Sequence, residues 1–366
     1  MDFVHFIKNA SHLKTVMVKY RQITNRGEEH MKKWKVWIVA ATACAMLFAG
    51  CGSQKTENVK KADSEKQTEQ ETEKEPIKIA SLKGPTSIGM VKLMDDAETN
   101  GKYDVTVYAS ATEVSPLLIS GDVDVANIPA NLAAVLYAKT NGNIEVLNIN
   151  TLGVLYMVGT NRESATFEEL KGATIYTTGK GTTPEYTLNY LLEQNGMSPD
   201  DFHIEYKSEA TEVVAALQSD ANAVGILPQP FVTVAQNQIE GLNILMSFTD
   251  EWNRVAKDSE LVTGVTVVRK DYLKEHEDQI QEFMTDLEAS IDYVNANAEE
   301  MSASIEKYDI IKAAIAKKAI PYCNLSYIAG SEMKSKLGGY LEVLFQQDAQ
   351  SIGGAVPEDD FYYQAK

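Results

Sequence analysis

Thr112-Glu113-Val114-Ser115-Pro116-Leu117-Leu118-Ile119-Ser120-Gly121-Asp122-Val123-Asp124-Val125-Ala126-Asn127-Ile128-Pro129 is nearly repeated later in the chain. The second copy, Thr211 to Pro228, keeps Thr, Glu, Val, Leu, Ser, Val and Pro at a constant offset of 99, seven identities over eighteen residues without a gap. Each copy reads as a helix, a turn, a strand and a Pro-containing loop. Upstream of each, a β-branched run enters a Lys-Gly loop ahead of a helical pattern: Lys83-Gly84-Pro85-Thr86 first and Lys180-Gly181-Thr182-Thr183 second, offset by 97. A repeat of about a hundred residues with the same element order implies two similar lobes.

The rest of the region after Pro76 agrees with that reading. Strands are expected over 77–82, 105–109, 123–128, 173–177, 223–227, 242–247 and 262–268, where β-branched residues cluster. Between them, Met90, Val91, Leu93, Met94 and Ala97 make one apolar helical face, and Ile280, Phe283, Met284, Leu287, Ile291 and Val294 make a longer one. Strands alternating with helices imply an α/β fold.

The N-terminal part reads differently. Lys32-Lys33-Trp34-Lys35 precedes an apolar run from Val36 to Gly50 that closes as Leu47-Phe48-Ala49-Gly50-Cys51. A basic cluster, a short apolar run and small residues at a cut site describe an export signal, and the run is shorter than the ~18 to 20 residues a spanning helix needs. Residues 31–50 are thus expected to be a signal peptide, with Cys51 as the lipidated first residue of the exported chain. Residues 1–30 are mixed and polar and fit an upstream extension before a start at Met31. Residues 51–76 contain almost no apolar side chain beyond Val59 and are expected to be a disordered tether.

The formal charge is −18, and residues 1–50 carry eight Lys/Arg and three Asp/Glu, which leaves 26 basic against 49 acidic residues, or −23, after the signal. Such a surface suits solubility and argues against nucleic acid as a partner. Cys44 falls in the signal and Cys51 at its end, so Cys323 is left alone, with no internal disulfide or cysteine metal cluster available to it. No metal or other cofactor is expected. His203 and His276 lie in polar surroundings without an acid or nucleophile at telling spacing, so no catalytic role follows.

In open α/β sheets, ligands sit beyond the carboxyl ends of the strands. The first loop there, Ser81 to Ser87, offers the Thr86 and Ser87 hydroxyls beside a helix start able to hold an anion. The second, Thr178 to Glu185, places Thr183 as an N-cap and Pro184 in the first turn. Either loop alone is as well read as a capped turn, but one per lobe favours binding. Gly172 and Gly179-Lys180 do not make a phosphate-binding P-loop, because six residues separate the glycines and Gly181 follows the lysine. Leu341-Glu342-Val343-Leu344-Phe345-Gln346 matches a viral protease site by coincidence and reads as native helix.

With the lipobox at Cys51, Gly121-Asp122-Val123-Asp124-Val125-Ala126, Phe167-Glu168-Glu169-Leu170-Lys171-Gly172, Gly179 to Pro184 and Ile226-Leu227-Pro228-Gln229-Pro230 in view, the chain resembles the solute-binding lipoproteins of ABC importers. Within them it resembles the NMT1/THI5-like group shared by sulfonate, nitrate and thiamine-precursor receptors. The resemblance implies a two-lobed type II periplasmic-binding-protein fold with a central hinge and cleft, lobe one over 77–160 and 264–366 and lobe two over 161–263. It implies an extracytoplasmic, lipid-anchored monomer that closes on a small molecule and delivers it to an ABC permease and its ATPase.

By family position, Thr86, Ser87, Asn127, Asn131, Gly153, Thr182, Thr183 and Gln229 are expected to face the cleft, with Lys83 and Lys180 as cations for an anionic ligand. Of the aromatics Tyr156, Tyr186, Phe231, Trp252 and Tyr322, most are expected in the core and Phe231 and Trp252 at the ligand. No proposed loop contains an arginine, which points away from a clamped dianion toward a planar heterocycle or a monoanionic organic acid; Arg162 and Arg254 are the nearest. Pyrimidines or other thiamine precursors and sulfonates fall within that range. Two other readings remain, a surface sensor or adhesin lipoprotein and a pyrimidine-forming enzyme of the same group, whose cysteine-rich iron motif is absent from this sequence.

Overall fold

The computed structural model describes residues 75–256 and 259–364. The expected upstream extension, signal, Cys51 and nearly all of the tether lie outside them. Among the described residues no helix is long and apolar enough to cross a membrane.

Among the described residues, eleven strands form two sheets. β1 (Ile77–Leu82), β2 (Tyr103–Tyr108), β3 (Val125–Pro129), β4 (Ile144–Leu152), β10 (Val262–Arg269) and β11 (Leu325–Ala329) make the first, in the order β11-β4-β10-β3-β1-β2. β5 (Leu155–Gly159), β6 (Thr174–Thr177), β7 (His203–Tyr206), β8 (Val224–Pro228) and β9 (Asn243–Ser247) make the second, in the order β7-β6-β8-β5-β9. The repeat is visible in this arrangement. β1 lies parallel between β2 and β3, and β6 lies parallel between β7 and β8. The helix Ala111–Ser120 precedes β3, just as Ala210–Ser219 precedes β8.

Each sheet is completed by a strand that arrives from the other lobe. β5 follows β4 after only Gly153 and Val154, yet pairs antiparallel with β8, while β10 follows the second sheet and pairs antiparallel with β3 and β4. The chain therefore crosses between lobes twice. β5 already belongs to the second sheet, ahead of the expected boundary at 160, because two residues suffice to pass between sheets, and at Gly153 the packing leaves no room for a side chain. A Cβ there would lie 2.2 Å from Thr249 Oγ1 and 3.2 Å from Leu261 Cδ2.

β4, β5, β7 and β11 were not legible as strands. β4 turns Asn148, Asn150 and Thr151 inward, all buried, and Asn is depleted in strands; β7 and β11 are short edges. β4 is held by antiparallel ladders to β10 and β11, and its polar side chains join a buried network. Asn127 Oδ1 accepts from Thr266 Oγ1 at 2.8 Å and Asn150 Nδ2 at 3.1 Å, and Thr266 Oγ1 also lies 3.1 Å from Asn148 Oδ1. These partners offset the desolvation of the Asn127 and Asn150 amides, while Asn148 Nδ2 is buried with no partner among the described residues.

The long helix Glu277–Ala296 buries Ile280, Phe283, Leu287, Ile291 and Val294 against the helix Val91–Asn100 and its sheet, as its spacing predicts, with Met284 half-buried. Ser290 on the same face donates to the Gly89 carbonyl at 2.7 Å and accepts from the Leu93 amide at 3.1 Å. Cys323 is fully buried, and burial pushes its thiol up to about 12. With Cys44 and Cys51 replaced by serine, the native protein is expected not to react with a thiol reagent such as DTNB at pH 8 until it is unfolded in denaturant. Rapid labelling of the folded protein would show the thiol to be accessible.

Candidate functional site

A cavity of about 680 Å³ opens between the two sheets. Its walls are the carboxyl ends of the strands and the turns that follow them. Leu82 ends β1 and Lys83 follows it, Ala109 to Thr112 follow β2, and Pro129 ends β3; Thr178 to Lys180, Lys207 to Thr211 and Pro228 are the corresponding residues in the second lobe. Pairs separated by the repeat offset, Thr112 with Thr211 and Pro129 with Pro228, both reach the cavity. The two copies of one sequence element thus supply facing walls, and the start of each copy was a usable signal for Thr112 and Thr211 that sequence reasoning passed over.

Of the expected site residues, Lys83, Thr86, Lys180, Thr182, Thr183 and Phe231 line the cavity. Lys83 is not free, since its Nζ lies 2.9 Å from Asp309 Oδ2, and that ammonium holds the Asp309 carboxyl below the usual carboxylate range. Lys312 and Lys207, also on the wall, pair with Glu306 at 3.0 Å and Glu205 at 2.9 Å. Among the described residues Lys180 has no carboxylate at ion-pairing distance; its Nζ sits 5.6 Å from the Tyr206 ring centroid. The Thr182 hydroxyl donates to the Gly179 carbonyl at 2.7 Å, and Thr182, not Thr183, occupies the N-cap position of the helix Thr183–Gln194.

The other expected residues lie behind the wall. The first loop does not begin a long helix; Pro85–Ile88 is a single turn. Within it the Ser87 hydroxyl donates to the Leu82 carbonyl at 2.6 Å and lies 2.9 Å from Ser81 Oγ. The Thr86 hydroxyl likewise donates to Leu82 O at 3.1 Å. Asn127 is buried and holds the Thr86 carbonyl from below at 3.1 Å.

Asn131, also buried, ties lobe to lobe, its Nδ2 3.0 Å from Ser351 O and 3.4 Å from Gly181 O, its Oδ1 3.4 Å from Thr183 Oγ1. Gly153 forms the first crossing, and its carbonyl accepts from Asn324 Nδ2 at 2.5 Å. Gln229 turns its Oε1 to Thr233 at 2.9 Å. Trp252, expected at the ligand, is instead a core residue, fully buried between Tyr190 and Tyr340. Tyr322 is 60% exposed and, like Tyr156 and Tyr186, is not on the cavity wall. Arg254 pairs with Glu251 at 2.6 Å, and neither it nor Arg162 reaches the cavity.

Residues 90–336, more than half of the chain, match the family described as Menaquinone biosynthesis. The chain belongs to that family. This menaquinone-biosynthesis family member also shares its fold with solved structures. An ABC transporter structure from Parabacteroides distasonis is 24% identical with a TM-score of 0.67, covering 80% of this chain and 100% of its own. A ligand-binding component of an ABC-type import system from Staphylococcus aureus is 18% identical, TM-score 0.62, covering 80% and 97%. The periplasmic aliphatic sulphonate binding protein SsuA from Escherichia coli is 16% identical, TM-score 0.62, covering 80% and 94%. No curated protein matches the sequence. The fold of this family member is therefore the two-lobed type II periplasmic-binding-protein fold.

Proposed function

We propose that the protein is an extracytoplasmic solute receptor, held at the membrane through a lipid on Cys51, that closes as a monomer around a small organic molecule and passes it to an ABC permease and its ATPase. The observation that carries this reading is the cavity built from equivalent strand ends of two lobes joined by two crossings, an arrangement suited to hinge closure around a ligand. The wall chemistry supports a neutral or monoanionic ligand. Val154, Leu155, Phe231, Val234, Ile311 and Ile315 offer apolar contact, three of the four wall lysines are already neutralised, and the wall has no arginine to clamp a dianion. Pyrimidines and other thiamine precursors, sulfonates and similar organic acids fit that description.

A thermal-shift panel of these classes tests the proposal. A probe at a hundred times its Kd is expected to add about 2.7 kcal/mol, or roughly 5 °C or more for a unit of this size, and to reduce the radius of gyration in solution scattering. Silence across the panel with the protein folded would favour a sensor or adhesin. The family description favours one further reading, an enzyme acting on the same cavity's ligand; a new product seen by mass spectrometry after incubation with a bound probe would select it.

A further inference from the structure

The helix Ala313–Ala319 inverts the usual pattern of a helix packed on a core. Its sequence, Ala-Ala-Ile-Ala-Lys-Lys-Ala, holds a single large apolar residue, Ile315. Yet the side chains it buries are Ala316 and Ala319, which join the hydrophobic cluster that contains Phe283 and Ile291. Ile315 is turned to the cavity, whose wall it forms together with Ile311 one turn earlier. It is half-buried, and among the described residues it packs into none of the three hydrophobic clusters, whereas Ile311 packs against one of them. A helix lying on a core normally turns its large apolar side chains inward, so folding does not account for this placement.

The other lobe comes up to the same helix. The helix Phe231–Gln238 packs against Ala313–Ala319, and Lys318 Nζ lies 3.2 Å from Asn237 Oδ1 between the two. Phe231, Val234 and Gln238, spaced three and four residues apart and so on one helical face, line the same cavity. Phe231 and Val234 also belong to the packing of the second lobe's core. The cavity thus has an apolar end at a junction of the two lobes. Of the four apolar residues there, Phe231, Val234 and Ile311 are engaged in cores as well, and Ile315 is not.

We infer that Ile315 is a specificity residue that receives a hydrocarbon arm of the bound molecule at the junction of these two helices. The ligand is then an organic molecule with an apolar arm of several carbons, not a compact polar one. This rests on the receptor reading and narrows it, since short sulfonates, short carboxylates and a bare pyrimidine would leave Ile315 uncovered. Because the two helices belong to different lobes, such an arm touches both and strengthens the contact that closure makes.

The test uses the full-length chain as wild type, Ile315→Ala and Ile315→Met. It combines ligand-free melting temperatures with isothermal titration of acetate, hexanoate, methanesulfonate, butanesulfonate and cytosine. Wild type is expected to bind the longer member of each pair more tightly, by about fourfold for each methylene buried. Ile315→Ala is expected to bind that longer member about tenfold more weakly, to treat the shorter one as wild type does, and to melt within about 2 °C of wild type, since no core contact is lost. Ile315→Met keeps the apolar volume and is expected to bind as wild type does. Equal affinity for short and long members would overturn the assignment, as would binding of cytosine alone or an Ile315→Ala that weakens short and long members alike. A clear drop in the ligand-free melting temperature of Ile315→Ala would overturn it too, being the mark of a side chain packed within the protein. Wild-type failure with all five probes would count against the receptor reading; the ligand-free melting comparison then still decides Ile315, a lower temperature overturning its role and an equal one supporting it.

Discussion

Trp252→Ala is expected to destabilise the protein by about 3 to 5 kcal/mol, the usual cost of deleting a buried large aromatic. Trp252 is 0% exposed, with its ring centroid 4.8 Å from Tyr190 and 5.4 Å from Tyr340. Tyr190 belongs to the helix Thr183–Gln194 and Tyr340 to the helix Gly330–Gln347. The indole therefore joins two helices around the second sheet to the C-terminal helix beside the first, and an alanine leaves a void that three helices would have to close. Trp252→Phe separates packing from any ligand role. The indole Nε1 has no partner among the described residues, so phenylalanine loses volume but no hydrogen bond, at a cost of about 1 to 2 kcal/mol. Urea unfolding measures both variants. If folded Trp252→Phe kept wild-type stability and lost probe binding, Trp252 would be a ligand residue after all.

Asn127→Ala is expected to cost about 3 kcal/mol, because it removes one hub and leaves several buried groups short of partners. Its Nδ2 reaches Ser81 Oγ at 3.1 Å and Thr86 O at 3.1 Å, and its Oδ1 accepts from Asn150 and Thr266. Asn150 and Thr266 retain each other, and Ser81 retains Ser87, so the largest single loss is the Thr86 carbonyl. The loop from Lys83 to Ser87 forms part of the cavity wall, so probe affinity is expected to fall together with stability. Hydrogen exchange should show faster opening in that loop and in β4. An Asn127→Ala protein as stable as wild type that fails to bind would mark Asn127 as a direct ligand contact.

Asn127 and Trp252 show where a sequence reading of this chain stops. Asn127 lies near the end of a strand that runs into a Pro-containing loop, a position where polar residues commonly face a ligand, and nothing local indicates that Asn148, Asn150 and Thr266 converge on it from strands 20 to 140 residues away. Trp252 is flanked by Glu251 and Arg254 in a short polar helix, which hides its burial. Thr263 in β10 reads as an ordinary strand residue for the opposite reason. It sits inside a β-branched run, and only the register against β4 shows that it is an extra residue at a bulge.

The sequence by itself determined the repeat, the alternation of strands and helices, and the placement of a Lys-Gly loop after one central strand in each lobe. These are local matters, set by side-chain periodicity, by β-branching and by glycines whose φ of 132° at Gly84 and 74° at Gly179 few other residues adopt. Which strand joins which sheet, which hydroxyls keep a free hydrogen and which lysines are already neutralised were decided only by tertiary structure. Each depends on partners far apart in sequence. Pairing, burial and charge compensation are properties of the packed neighbourhood, and no window along the chain contains it.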